Sequence, residues 1–293
     1  MKFSEIKHKI KNLGNFKSLK EIKEAGLRIV RNTKTGDYWL IEKEFLKPVV
    51  TNYENLKSIK IEPDMSVFVY PEIDYSKTKY KANDYIVWGK NLKTKGGQKQ
   101  EAGIPLPKIK SLRGRKYWYS FQPSDDLLSN VFWQKRTGER FAVFFSDNKT
   151  FVDQKLYPLI KINKNIENIV IALNSTIQRL FLEVEGVSYT GAYTLIEISV
   201  EDVEKLPVIN PERLKSKKIK EILRKKEFKS IFTELGFDPS KPIREQEPNP
   251  LPDRKALDDI VFDALGLTKE ERKEVYWAVA ELVKNRLEKA RSV

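Results

Sequence analysis

The sequence predicts an α+β fold: a mixed, β-rich domain containing one long packed helix, followed by a C-terminal helical hairpin. Three observations carry this expectation. Short β-rich runs bounded by Pro and Gly crowd residues 45–90, among them Val67–Tyr70 before Pro71 and Tyr85–Trp88 before Gly89. From Ile166 to Glu185, Ile166, Val170, Leu173, Ile177, Leu180 and Val184 recur at steps of four and three, the spacing that lines up one helix face. Residues 253–293 contain two more such faces, separated by Gly266.

In chain order, residues 1–34 read as a basic helical segment with breaks at Gly14 and Gly26. Thr35-Gly36-Asp37 is a turn signal and Tyr38–Ile41 a strand. One domain is expected over 35–212. Within it, Asn91–Lys110 places Gly96-Gly97, Gly103, Pro105 and Pro107 among lysines, the composition of a mobile loop. Tyr117–Phe121 and Arg140–Phe145 follow as strands. Gly186 ends the long helix as a C′ residue. Thr194–Val200 alternates Ile196, Ile198 and Val200 with polar residues, as a half-buried strand does. Residues 213–252 are expected to be a basic helix and a linker, because five prolines fall between Pro239 and Pro252. In the terminal hairpin, 253–293, the first helix faces inward with Leu257, Ile260, Val261, Ala264 and Leu265. Thr268 and Glu271 make a capping box, and Val275, Val279, Leu282 and Leu287 line the second helix. This hairpin is expected to be detachable.

Composition excludes several chemistries. The chain has no Cys and one His, His8, so disulfides, thiol nucleophiles and a zinc site of nitrogen and sulfur ligands are ruled out. A hydrolase triad would have to rest on His8, inside a Lys-rich helical segment. No apolar run approaches the ~20 residues that span a bilayer, and the N-terminus lacks the apolar core of a signal peptide. A soluble, cytoplasmic protein with no membrane partner is expected. Charged residues are 33% of the chain and rich in Lys and Glu, a mix that suits a thermophile.

The net charge of +14 is concentrated in two places. Lys77–Lys116 holds twelve Lys or Arg against Asp84 and Glu101, a net +10, and Arg213–Lys229 holds nine against two, a net +7. The remainder is therefore net −3. Such clustering suits a polyanion, and double-stranded DNA is the expected partner. In the first stretch, Lys93, Lys95, Lys99, Lys108 and Lys110 are placed to grip phosphates. Arg113 and Arg115 then flank Gly114, followed by Lys116, Tyr117, Trp118 and Tyr119. Arginine binds phosphate or pairs bidentately with guanine, and glycine lets backbone approach a phosphate closely. On a strand starting at Lys116, Tyr117 and Tyr119 share one face, offered to DNA, while Trp118 turns into the core.

Adenine methylation leaves two marks: a Gly-containing loop after a strand, and Asn/Asp-Pro-Pro-Tyr/Phe to hold a flipped base. Neither is present. Asn210-Pro211 continues with Glu212 and Asn249-Pro250 with Leu251, and Gly96-Gly97 does not join a strand to a helix. No catalytic residue, metal ligand or cofactor site is therefore assigned. Pro63-Asp64 with Asp153-Gln154-Lys155, or with Asp147-Asn148-Lys149, matches the string of a metal-dependent nuclease, but such strings arise by chance in a chain this rich in Lys, Asp and Glu.

Several stretches taken together resemble the C-terminal target-recognition region of TaqI-type N6-adenine DNA methyltransferases and their fused restriction–methylation relatives. They are Thr35–Val50, Tyr85-Ile86-Val87-Trp88-Gly89 with Gly114–Tyr119, Ala172–Gly186 and Gly191–Val208, in the family's order; Ala256–Ala290 resembles the tail of the longer members. The resemblance implies a recognition domain or subunit that reads DNA sequence. It also implies a methyltransferase catalytic domain or subunit elsewhere, expected before residue 1, carrying S-adenosylmethionine. Ser188 and Tyr189, in the turn after the long helix, are a second candidate DNA contact. The competing class is a scaffold subunit whose basic faces bind partner protein or RNA.

Overall fold

The computed structural model describes residues 2–51, 56–63, 65–97, 100–162, 165–186 and 195–291. Its fold is α+β. Contacts divide the chain into two compact units, 1–48 with 66–124, and 49–65 with 125–293. The stretch 35–212, expected as one domain, is shared between them.

The first unit opens with α1 (Phe3–Ile6) and α2 (Leu19–Glu24), then pairs β1 (Leu27–Arg31) antiparallel with β2 (Tyr38–Glu42). β1 lies inside the segment expected to be helical. Gly26, at φ 72, makes the turn into it. Ile10, Ile22, Leu27 and Leu40 form a small core here. The buried Asn12 amide donates to the Leu40 carbonyl and accepts from the Leu40 N–H, so its polarity is satisfied. The chain leaves the unit along β3 (Leu46–Val50) and re-enters it along β4 (Met65–Phe68).

Residues Tyr85–Trp88 are not a strand. They lie in α3 (Ala82–Lys90), where Ala82, Ile86 and Gly89 are buried and Val87 is exposed. The Glu42 carboxylate decides this locally, accepting from the backbone N–H of Lys81 and Ala82 at 2.5 and 3.0 Å, where a helix start lacks partners. The expected mobile loop is also corrected. Lys93–Gly97 (β5) and Gln100–Pro105 (β6) form an antiparallel hairpin, with Gly96 and Gly103 at φ 83 and 80 supplying the left-handed positions that the other residues resist.

In the second unit, β7 (Ser129–Gln134), β9 (Val143–Val152) and β10 (Leu156–Pro158) form an antiparallel sheet in the order β10-β7-β9. Val49–Val50 of β3 runs parallel to Phe151–Val152 at its edge. The two-residue β8 (Arg136–Thr137) pairs with β11 (Ile196–Glu197). Phe132, Trp133, Val143 and Phe144 are almost solvent-free and meet Val170, Ile171 and Leu173 of the helical layer.

The long helix is two helices, α4 (Ile166–Asn174) and α5 (Thr176–Glu185). Between them Ser175 is extended (φ −69, ψ 156), and its hydroxyl accepts from Gln178 N–H as the cap of α5. The break rotates the expected face, so Val170 and Leu173 are buried but Val184 is exposed. Gly186 is extended, not left-handed. It is needed for close packing, since a Cβ there would lie 2.4 Å from the Leu182 carbonyl oxygen. Val200, expected on a strand, starts α6 (Val200–Lys205), capped by Ser199.

The basic stretch forms α7 (Ile219–Lys225) and α8 (Ile231–Leu235), followed by α9 (Pro252–Leu265) and α10 (Lys269–Arg291). The capping box is present: Thr268 Oγ1 accepts from Glu271 N–H, and the Glu271 carboxylate accepts from Thr268 N–H. The proline segment is packed rather than a free linker. Ile243 is buried, Gln246 accepts from the Trp277 indole N–H at 2.7 Å, and Arg244 pairs with Glu274 and Glu281. The hairpin, expected to be detachable, packs into the second unit. Leu257 and Val261 belong to the same core as the sheet.

An ionic network is buried at this junction. Arg254 Nε donates to Glu234 and its Nη1 to the Asn174 carbonyl, both at 2.6 Å. Lys226 donates to Glu234 at 2.9 Å, and Asp258 accepts from both N–H and hydroxyl of Thr176 at 2.7 Å. Burial pushes the Glu234 carboxyl up, but Arg254 and Lys226 outweigh it and hold it below its ordinary value. Burial pushes the Asp258 carboxyl up in spite of Arg254 and Thr176.

Removing one partner of such a pair leaves a charge without compensation, at a cost of about 3–5 kcal/mol. Arg254→Ala is expected to destabilise the second unit by that amount in chemical denaturation, with a lower midpoint and an unchanged slope. A midpoint within experimental error of wild type would mean that water enters and replaces the pair.

Candidate nucleic-acid interface

The first unit carries an open-sided cavity of about 770 Å³ between α3, β5, Asn32–Thr35 and the chain from Leu106 to Phe121. Its position follows from local chemistry. One face of α3 carries Tyr85 and Trp88 at helical spacing, and their rings stack at 5.2 Å and 27°. Trp39 of β2 packs on both, at 5.4 and 5.0 Å. Gly89 lets Trp118 lie against the helix, since a Cβ would sit 3.0 Å from Trp118 Cη2. Tyr119 ties this segment to the chain at Ile73–Tyr75: its hydroxyl donates to the Ile73 carbonyl and accepts from Tyr75 N–H.

Aromatic rings of Phe68, Tyr85, Trp88, Trp118, Tyr119 and Phe121 line the cavity. Every charged residue lining it among the described residues is a cation: Lys34, Lys93, Lys95 and Arg115. Arg115 is held in place, donating from Nη1 to the Ser120 carbonyl at 2.9 Å with its guanidinium 5.2 Å over the Phe121 ring. Its other donors have no partner among the described residues. The Tyr85 hydroxyl accepts from the Asn32 amide at 2.7 Å, and its own proton has no acceptor among the described residues. Burial raises the Tyr85 hydroxyl's pKa, against the Asn32 bond, so it remains a donor. The arrangement offers flat apolar faces, neutral hydroxyls that include that of Tyr85, and positive charge.

The sequence-predicted residues separate here. Lys93 and Lys95, on β5, and Arg115 line the cavity and are exposed. Lys108, Lys110, Arg113 and Lys116 are exposed but do not line it. Arg113 Nε donates to the Lys108 carbonyl at 3.2 Å, which closes this segment on itself. The expected strand from Lys116 is absent; Lys116–Tyr119 runs through bends and turns. Tyr117 and Tyr119 still stack, at 5.4 Å and 21°, but Tyr119 is only 9% exposed and both functions of its hydroxyl are used, so it is a structural residue. Trp118 is half-buried, packed against the aromatic core of the unit and forming part of the cavity wall. Lys99, Ser188 and Tyr189 lie outside the described residues. The sequence reading missed Asn32, Lys34, Phe68, Tyr85 and Trp88. Tyr85 and Trp88 were legible as an i, i+3 pair, once the run is taken as helix.

Other sequence candidates have structural duties. Asn210 caps its own turn by accepting from Glu212 N–H, and Asn249 donates its N–H to the Leu235 carbonyl. Asp147 pairs with Lys60, and Asp153 accepts from Lys155 N–H. Among the described residues no three His, Asp or Glu side chains gather to hold a metal, and no helix is long and apolar enough to cross a membrane.

No family model and no curated protein matches the sequence. A solved structure similar in fold is that of the type IIG restriction endonuclease BpuSI, with a TM-score of 0.51 and 10% identity. The similarity covers 85% of this chain and 27% of that one. The chain thus corresponds to a minor part of that enzyme's length, and at this identity the likeness is one of fold.

Gly89→Val tests the packing that shapes the cavity. It is expected to push Trp118 out and destabilise the first unit by about 1–3 kcal/mol, as overpacking does. Thermal unfolding followed by tryptophan emission measures this; an unchanged melting curve would mean that Trp118 does not rest on Gly89.

Proposed function

We propose that this chain is the sequence-reading DNA-recognition domain or subunit of an N6-adenine methyltransferase or restriction–modification enzyme, with methyl transfer carried elsewhere. The observation that carries the reading is the cluster of cations, without carboxylates among the described residues, around an aromatic cavity, continuous along the chain with exposed Lys108, Lys110, Arg113 and Lys116. Cations grip phosphate and draw the protein to the duplex, while base-edge contacts specify sequence. The fold similarity to a restriction endonuclease and the resemblance of the sequence to target-recognition regions support the same reading. On it, S-adenosylmethionine belongs to a catalytic part outside this chain, and the purified chain transfers no labelled methyl group to DNA.

Fluorescence anisotropy on duplex DNA, repeated across salt concentrations, tests the proposal. Each phosphate contact adds roughly one unit to the slope of log affinity against log salt. Lys93→Gln with Lys95→Gln is expected to lower that slope by about two units. Absence of duplex binding, with binding to RNA or acidic protein instead, would favour the scaffold class.

Arg115 is better fixed than Arg113, held by both a carbonyl and a ring, and only a fixed fork keeps bidentate geometry on a base. Arg115→Ala is therefore expected to cost about 1–3 kcal/mol of discrimination at one base pair, and Arg113→Ala to weaken all sequences equally. A panel of single-base variants of the bound site separates the two. Uniform weakening by both variants would assign both arginines to phosphates.

A further inference from the structure

We propose that the cavity of the first unit receives one unstacked nucleotide of the DNA strand, its base among Tyr85, Trp88 and Trp118 and its phosphate on Lys93 and Lys95. This rests on the DNA-binding reading and goes beyond it. Gripping a duplex from outside needs only exposed cations, and Lys108, Lys110, Arg113 and Lys116 already supply them. It does not need a cavity. Yet the unit keeps one of about 770 Å³, within the roughly 300–1,000 Å³ of small-molecule sites.

The lining suits a nucleotide in two respects at once. A base has two flat π-faces and stacks on aromatic rings whatever its identity. The cavity offers an indole and a phenol already stacked on each other and a second indole from Trp118. A nucleotide also carries a negative charge, and the charged lining is wholly cationic among the described residues. A purely apolar ligand would leave four cations unanswered. A free inorganic anion would leave six aromatic rings unanswered. The Tyr85 hydroxyl, whose proton has no acceptor among the described residues, supplies one donor for a base edge. The Asn32 amide holds that hydroxyl, and Asn32 itself is fixed by accepting from Lys34 and Thr35 N–H.

The test uses the full chain and three probes: a fully paired duplex, the same duplex with one unpaired adenine, and free adenosine monophosphate. Binding is read by anisotropy and by quenching of tryptophan emission. Stacking on aromatic side chains predicts that the unpaired base raises affinity about 5- to 100-fold over the paired duplex and quenches emission. Leu112, half-buried on the cavity wall, provides a blocking variant that leaves the aromatic cluster whole. Leu112→Trp is expected to abolish the preference for the unpaired base and leave paired-duplex affinity unchanged. Tyr85→Phe, which removes only the hydroxyl, is expected to reduce the preference about 3- to 10-fold.

Equal affinity for the two duplexes overturns the cavity proposal and leaves the DNA reading standing. A preference that survives Leu112→Trp overturns it as well, because the unpaired base is then held elsewhere. Quenching by adenosine monophosphate without any gain from the unpaired base would assign the cavity to a free nucleotide. Failure to bind either duplex removes the reading on which the proposal rests.

Discussion

The contact between Arg254 and Glu234 is the constraint on which the second unit depends. Both side chains are almost solvent-free, and each joins other elements. Arg254 reaches from α9 to the end of α4 through the Asn174 carbonyl, and Glu234 brings in Lys226 from the end of α7. Four residues beyond Arg254, Asp258 caps the start of α5 through Thr176. A buried ion pair is poor evidence for stability, because desolvation offsets most of its Coulomb attraction. It is better evidence for a single arrangement. Any slip of α9 along its axis would strand charges that are satisfied in one register only.

That network also divides the basic residues by duty. Lys226 belongs to the second concentration of positive charge, yet its ammonium is fully buried on Glu234 and Asp253. Burial, with Arg254 nearby, holds its pKa below the ordinary lysine value despite those carboxylates. It is therefore unable to meet a polyanion. In the first unit, the basic side chains described between Lys93 and Lys116 form no ion pair with a carboxylate among the described residues and face solvent. Charge counted along a sequence cannot make this distinction, because it depends on which side chains the tertiary fold encloses.

Much of the architecture was legible. The α+β class, the turn at Gly36, the strand after it, and the capping box at Thr268 follow from local chemistry that the fold does not overrule. Several of the failures share one cause, which is that a distant residue decided. Tyr85–Trp88 has strand composition, but the Glu42 carboxylate, far away in sequence, caps a helix there. The face from Ile166 to Val184 is continuous in spacing, but Ser175 breaks it and Asp258 holds the second half. The prolines after Pro239 signal a linker, but Trp277 and Glu274 fasten that segment down. At the candidate interface, charge marked Lys93, Lys95 and Arg115. The aromatic walls stayed hidden because they come from three separate stretches.

The chain crosses between its two units three times, near residues 48, 65 and 124. The short excursion 49–65 is not a mere tether, since Ile59 and Ile61 are buried and its backbone bonds to Phe145 and Lys226. During synthesis this excursion emerges well before the residues it joins, so the second unit closes only after the first is fully made. Exchange of the first unit between related genes would likewise need a compatible junction at each of these crossings. A single crossover would leave 49–65 facing a core for which it was not selected.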